Sequence, residues 1–262
     1  MPESKVLFER VGRIAVLTLC DPPANTYSYA MMRDLDEAIL KARFDDEVAV
    51  IIVTGSGEKF FCAGADINML QDVTPEFKYN FCLHANETLL RLEQTPKLVI
   101  GALNGHTVGG GLEVALACDI RVAKEDGGKI GVPEVKLGVL PGTGGTQRLL
   151  RLLGKGRALQ LMVSGRSMGV AEARELGLVD EVFEAENFMQ NVLAYAEQFT
   201  PPHAASKAIG LIKRAVQTGD DVGLSQGLAF ERELQQQLFT SSDAKEGMSA
   251  FSEKRKADYT GR

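Results

Sequence analysis

Gly101-Ala-Leu-Asn-Gly-His-Thr-Val-Gly-Gly-Gly-Leu-Glu-Val-Ala-Leu-Ala-Cys-Asp119 is the stretch on which the reading of this chain turns, because it sets two requirements against each other. Three successive glycines, Gly109 to Gly111, open a run in which Leu112, Val114, Ala115, Leu116 and Ala117 leave no polar face for a surface helix. One carboxylate, Glu113, sits inside that run. Acids are rarely buried unless paired or put to use, and taking an unpaired carboxylate out of water costs enough to shift its pKa. Either Glu113 lies in a helical first turn and simply answers the positive end of the helix dipole, or it belongs to a reactive site. The rest of the chain has to decide.

Just upstream, Leu98 to Leu103 has the length and composition of a buried strand, so the stretch reads as strand, glycine loop, helix. A second unit of this kind begins at Val48-Ala-Val-Ile-Ile-Val-Thr54, an apolar run typical of a strand covered on both faces. It is followed by the glycine-rich loop Gly55 to Asp66. Before it, Val6 to Glu9 and Ile14 to Leu19 read as a hairpin, and Tyr29 to Phe44 as a helix with Met31, Leu35 and Ile39 at helical spacing. Strand, helix, strand in that order predicts a parallel crossover and an α/β core. Loops at the carboxyl ends of strands are where such sheets bind ligands. Pro75 to Gln94 reads as helix, Asp119 to Ala123 as a strand, and Lys129 to Glu134 as an extended piece before the loop Leu137 to Gly145.

From Thr146 onward the pattern is mostly helical, apart from a strand-like Leu178 to Phe183. Leu224, Leu228, Leu234 and Leu238 mark an amphipathic stripe. Thr200-Pro-Pro-His203 divides an α/β core, residues 1–200, from a C-terminal helical region, residues 201–262. The latter is too short to fold dependably alone, so it is expected to pack on the core or on a neighbouring subunit. No internal repeat is visible.

With 262 residues, 45% hydrophobic and 24% charged, the chain has the composition of an ordinary soluble globule. A net charge of −6 argues against nucleic acid as the main partner. No apolar run approaches the roughly 18–20 residues needed to cross a bilayer, and Met1 to Val6 lacks the features of a signal or transit segment. Cys20, Cys62, Cys82 and Cys118 show neither CxxC nor metal-like spacing and read as reduced thiols, so a cytoplasmic protein without a membrane partner is expected.

Neither glycine loop is a P-loop, and Gly55-Ser-Gly-Glu-Lys-Phe-Phe lacks dinucleotide-binding spacing. Val108-Gly-Gly-Gly-Leu112 does expose backbone N–H groups at a helix start, as an oxyanion site requires. Glu134 lies 21 positions beyond Glu113; alone it reads as a surface acid, but two carboxylates near glycine loops suit general acid and base work. His84 and His203 have no nucleophile-like motif nearby, and His106 reads as a supporting residue. No cluster has metal-ligand spacing, so no metal is expected.

These motifs occur together and in order. Ala63-Gly-Ala-Asp-Ile67, Asn104-Gly-His-Thr-Val-Gly-Gly-Gly-Leu-Glu113, Cys118-Asp-Ile-Arg121, Pro133-Glu-Val-Lys-Leu-Gly138 and Pro141-Gly-Thr-Gly-Gly-Thr-Gln-Arg-Leu149 strongly resemble the enoyl-CoA hydratase/isomerase (crotonase) superfamily. Glu246 to Lys256 resembles the hydratase C-terminus. The resemblance implies a ββα-type spiral core with a C-terminal helical region used in trimerisation, as a homotrimer or a dimer of trimers. It implies an oxyanion hole at the backbone N–H groups of Ala65 and Gly110, with an acyl-CoA thioester as substrate. Contacts to that substrate fall on Lys59, Ala63, Gly64, Asp66 and Ile67, and on Lys254 from the same or a neighbouring subunit. The coenzyme A is part of the substrate, so no separate cofactor is implied.

Family hydratases carry glutamate at both acid positions, as Glu113 and Glu134 do here. The implied reaction is addition of water across the 2,3 double bond, with Glu113 as base on the water, Glu134 supplying a proton to Cα, and the Gly142 N–H, at the start of the next helix, orienting the water. Family isomerases more often keep only the second acid, so a Δ3-Δ2-enoyl-CoA isomerase is the nearest alternative; a non-catalytic RNA-binding scaffold is the remote one. Pro22-Pro-Ala-Asn-Thr-Tyr-Ser28 departs from the family pattern and points to Tyr27 or Tyr29 as a lining of the acyl pocket.

Overall fold

The computed structural model describes residues 4–262. Its strands are β1 (Val6–Val11), β2 (Ile14–Leu19), β3 (Val50–Gly55), β4 (Phe60–Cys62), β5 (Leu98–Leu103), β6 (His106–Val108), β7 (Ile120–Lys124), β8 (Ile130–Gly131), β9 (Ser167–Met168) and β10 (Glu181–Phe183). Its helices are α1 (Tyr29–Phe44), α2 (Ile67–Asp72), α3 (Pro75–Glu93), α4 (Gly110–Leu116), α5 (Gly145–Leu153), α6 (Lys155–Ser164), α7 (Val170–Glu175), α8 (Phe188–Glu197), α9 (Ser206–Asp221), α10 (Leu224–Phe239) and α11 (Ser242–Glu253).

The expected hairpin and parallel crossover are present. β1 and β2 pair antiparallel, and β2, β3, β5, β7 and β10 continue as a parallel sheet in that order. Every residue of β3 is buried, and successive side chains leave on opposite faces. Val50 and Ile52 join Ile14, Val16 and Ile100 against Val192 and Ala196 of α8. Ile51 and Val53 join Leu17 and Val99 in the larger core that also holds Met31, Leu35 and Ile39 of α1 and Leu89 of α3. Each such side chain contributes about 1.5–3 kcal/mol through burial, which is why an unbroken apolar run is stable only in a sheet covered on both sides.

A second sheet, β4-β6-β8-β9, stands beside the first. The chain alternates between the two: β3, β4, α2; then β5, β6, α4; then β7, β8 and α5. This is a spiral of three ββα units that the sequence does not display as a repeat, since strands of two or three residues are too short to show alternation. The segments read as plain glycine loops contain β4 and β6, and α2 was not expected. At the corner between the sheets, a Cβ on Gly55 would fall 2.4 Å from the Phe60 carbonyl oxygen. Asn104 stitches this corner by donating to the carbonyls of Gly55 at 2.8 Å and Gly57 at 2.7 Å.

In the C-terminal region α9 lies on the core. Buried Lys213 pairs with Asp119 at 2.8 Å, at the carboxyl side of α4. A Cβ on Gly210 would fall 2.2 Å from the Pro96 carbonyl oxygen.

Candidate active site

Each ββα unit delivers its functional group just after its second strand. In the first, the chain leaves β4 through Ala63, Gly64 and Ala65 before Asp66 caps α2, its carboxylate accepting from the Asn68 N–H at 2.9 Å. In the second, Gly109 turns the chain with φ +58, and α4 begins at Gly110. Gly64, itself at φ +87, brings these turns together: a Cβ there would lie 2.9 Å from the Gly110 nitrogen. Among the described residues, no backbone carbonyl takes the N–H of Ala65 or of Gly110. Two free donors thus stand on adjacent turns that touch where Gly64 meets Gly110.

Glu113 lies in the first turn of α4 and is 1% exposed. The dipole reading describes its position but leaves out its partners. Its Oε1 accepts from the N–H of Thr143 at 2.8 Å and of Gly145 at 2.7 Å. Its Oε2 takes the Thr143 hydroxyl. These donors sit where the third unit enters α5, a helix held to α3 by a two-bond pair between Arg148 and Glu93, both at 2.7 Å. The sequence assigned the orienting of the water to the N–H of Gly142 at a helix start. The structure moves that helix start: α5 begins at Gly145, and Gly142 lies in the loop just before it. A Cβ on Gly142 would lie 3.2 Å from Cys82 Sγ of α3.

Glu134 is not on an extended piece, as expected, but opens a 3-10 turn, Glu134–Leu137, directly after Pro133. Its carboxyl faces the glycine turn of the second unit; a Cβ on Gly109 would lie 3.0 Å from Glu134 Oε1. Oε2 is buried and has no hydrogen-bond partner among the described residues. Burial, with a smaller push from the charge of Glu113, raises the Glu134 pKa to about 7, while its own backbone N–H and Lys78 of α3 oppose the rise. The two acids are therefore differentiated: one is surrounded by donors, and the other is held near neutrality with a bare oxygen.

Tyr27 is at the site, 3% exposed, with its hydroxyl 3.0 Å from Thr143 Oγ1. Its N–H donates to the Gly64 carbonyl at 2.9 Å, and its carbonyl accepts from Asp66 N–H at 3.2 Å. The ring lies over Gly110, where a Cβ would come within 2.1 Å of the phenol oxygen. Burial, then the charge of Glu113, pushes the phenol pKa well above its ordinary value. Tyr29 stands further out, 44% exposed, edge-on to Phe77 and His84.

The remaining expected residues separate. Ala63, Gly64, Ala65 and Asp66 gather beside Gly110, with Ile67 exposed at the start of α2. Lys59 is exposed on the approach to β4, its ammonium 5.5 Å from the Phe60 ring centroid. Lys254 is the C-cap of α11, at φ +55, and is exposed. His106 is a supporting residue: its Nδ1 accepts the Lys129 N–H at 2.9 Å. Among the described residues no group of three or more His, Cys, Asp or Glu is placed to hold a metal ion. Sequence reasoning missed Thr143 and Gly145 as partners of Glu113; the signal was a lone hydroxyl in a run of glycines, Gly142-Thr-Gly-Gly145.

The family profile described as enoyl-CoA hydratase/isomerase matches residues 9–262. A short-chain-enoyl-CoA hydratase of Clostridium acetobutylicum is 38% identical over 259 residues, 98% of each chain. A crotonyl-CoA hydratase of Syntrophomonas wolfei is 35% identical over 99% of each. The crystal structure of an enoyl-CoA hydratase from Geobacillus kaustophilus superimposes with a TM-score of 0.96 at 43% identity, covering 100% of this chain and 98% of that one. With the spiral, the paired acids and the two converging N–H groups already in place, these likenesses show that the chain belongs to the enoyl-CoA hydratase/isomerase family.

Proposed function

We propose that the protein is an enoyl-CoA hydratase, adding water reversibly and syn across the 2,3 double bond of a 2-enoyl-CoA to give a 3-hydroxyacyl-CoA. The observation that carries this reading is the differentiation of Glu113 and Glu134 on either side of the free N–H groups of Ala65 and Gly110. The thioester carbonyl accepts from those two donors, which stabilise the negative charge that develops on its oxygen as the nucleophile adds. Water lies between the acids. Glu113, an acceptor on every side, takes a proton from the water as its oxygen bonds to Cβ, and Glu134 gives its proton to Cα. One proton enters the acid pair and one leaves it, so the pair ends with the same total and a proton shift restores it.

The segment Lys59 to Ile67 flanks the pantetheine and adenine in this reading. Asp66 acts there through its backbone, because its carboxylate is engaged in the α2 cap. Lys254 meets a CoA phosphate from a neighbouring subunit. Exposed Leu140, Val163, Ile212 and Val216 support assembly into a homotrimer or dimer of trimers. No cofactor beyond the substrate's own coenzyme A is assigned. The four free cysteines support a cytoplasmic setting; among the described residues no helix is long and apolar enough to cross a membrane.

The test is turnover of crotonyl-CoA, followed as loss of the conjugated thioester, beside turnover of a 3-enoyl-CoA. Rapid hydration supports the hydratase. Far faster conversion of the 3-enoyl substrate would favour the Δ3-Δ2 isomerase, for which Glu134 alone suffices as proton carrier.

A further inference from the structure

The direction of the Glu113 carboxylate is set from outside its own helix, and the contributor most distant in sequence is a side chain of the N-terminal segment. The Tyr27 hydroxyl lies 3.0 Å from Thr143 Oγ1, and the Thr143 hydroxyl reaches Glu113 Oε2. Both Tyr27 and Thr143 are buried, at 3% and 1% exposure. A hydroxyl has one proton to give. Two backbone N–H groups make Oε1 an acceptor, and the Thr143 proton goes to Oε2. That leaves the Thr143 oxygen to accept from Tyr27, and the chain runs in one direction, Tyr27 to Thr143 to Glu113.

We infer that Tyr27 and Thr143 are positioning residues for the hydration reaction, a two-hydroxyl strut that fixes which lone pair of Glu113 faces the water. The inference rests on the hydratase reading above. With Oε1 occupied by two N–H donors and Oε2 by the Thr143 hydroxyl, the carboxylate cannot swing about its Cγ–Cδ bond without breaking three hydrogen bonds, and its remaining lone pairs keep one bearing. Tyr27 also ties that bearing to the oxyanion donors. Its own N–H and carbonyl hold Gly64 and Asp66 on either side of Ala65, and its ring packs on Gly110. One residue, through backbone and side chain together, thereby ties the base to the turns that carry the Ala65 and Gly110 N–H groups. Its proton remains on the phenol, since burial disfavours the phenolate, so it donates across the working pH range. The two hydroxyls are engaged with each other and with Glu113, and the effect is exerted through that acid.

The experiment measures kcat and KM for crotonyl-CoA in the wild type, Tyr27→Phe, Thr143→Ser, Thr143→Val and the Tyr27→Phe/Thr143→Val double variant, with thermal unfolding of each. Thr143→Val is expected to lose about tenfold or more in kcat, the scale of a hydrogen bond to a charged group, with KM little changed. Thr143→Ser, which keeps the hydroxyl, retains most of the rate. Tyr27→Phe keeps the ring and backbone contacts and loses a smaller factor, and the double variant is no slower than Thr143→Val, because the Tyr27 hydroxyl acts only through Thr143. Wild-type kcat in Tyr27→Phe, losses that multiply in the double variant, or a change confined to KM would overturn the inference. If Thr143→Val fails to fold, Tyr27→Phe and Thr143→Ser still decide. An absence of hydration by the wild type would instead refute the hydratase reading itself.

Discussion

Glu113 and Glu134 present their carboxyl groups in opposite settings: three donors converge on the first, and Oε2 of the second is buried with no hydrogen-bond partner among the described residues. Carboxylates of equal intrinsic acidity are thereby assigned different protonation duties by their surroundings.

Replacing the first tests the base. In Glu113→Gln the amide oxygen can accept from the N–H groups of Thr143 and Gly145, so the local geometry survives while the basicity does not. The expected loss in kcat is about 10²–10⁴-fold, with KM near that of the wild type. Hydration at the wild-type rate would remove Glu113 from the reaction.

The acid pair gives both directions of the reaction the same dependence on pH. Hydration starts with Glu134 protonated and Glu113 ionised, and dehydration with the proton on the other acid, so each needs a pair that holds one proton. With the Glu134 pKa raised to about 7, kcat/KM for hydration falls as pH rises through about 7, and kcat/KM for dehydration falls in parallel, because no net proton is consumed. The pair titrates jointly, so the limb reports the two acids together. Initial rates in both directions between pH 5 and 9 check this; a kcat/KM that stays flat or rises through pH 7 would contradict it.

The same shift has a stability consequence. The folded protein binds more protons at Glu134 than the unfolded chain between about 4.5 and about 7. Stability therefore falls with rising pH across that window, and the cost is complete above it. Glu134→Gln is expected to be more stable than the wild type at pH 8, by about 1–2 kcal/mol once partial solvent screening is allowed for, and no more stable at pH 4. Urea unfolding at both values measures it.

Gly110→Ala is expected to be both unstable and inactive. The new methyl group would meet the hydroxyl and ring of Tyr27 at 2.1–2.5 Å, and a buried ring cannot yield as an exposed side-chain tip can. Overpacking of this kind costs about 1–3 kcal/mol, and any relief moves one of the two N–H donors. Unfolding and hydration assays together test it; a stable, active variant would show that the ring moves freely.

Lys213→Met isolates the tie between α9 and the core. Burial raises the pKa of Asp119 and lowers that of Lys213, each opposed by the attraction of its partner. A pair in this condition adds little net stability, but removing one member strands the other, at about 3–5 kcal/mol. Adding Asp119→Asn should recover part of that loss in a urea titration; an additive further loss would mean that the two residues act separately.

How much of this could be read from the residues follows from length and reach. Val48 to Thr54 and Leu98 to Leu103 announced themselves because a doubly covered strand needs an unbroken apolar run. β8 and β9, at two residues each, exist only because neighbouring chain pairs with them, and no local pattern records that. Glu113 stood out because an acid among Leu and Val has to be explained. Thr143 did not, because a hydroxyl is unremarkable in a glycine loop until the acid that accepts from it comes into view. Tyr27 was singled out as a possible wall of the acyl pocket, and its hydrogen bond across 116 positions of sequence lay beyond any spacing argument.

The three-turn spiral makes its reactive groups depend on one another. Ala65, Glu113 and Glu134 each follow the second strand of successive ββα units, yet each acid is held by the unit beside it: Glu113 by Thr143 and Gly145 of the third, and Glu134 against Gly109 of the second. An exchange at one junction therefore asks its neighbour to accommodate it, and the reactive groups of this spiral are changed in adjoining pairs.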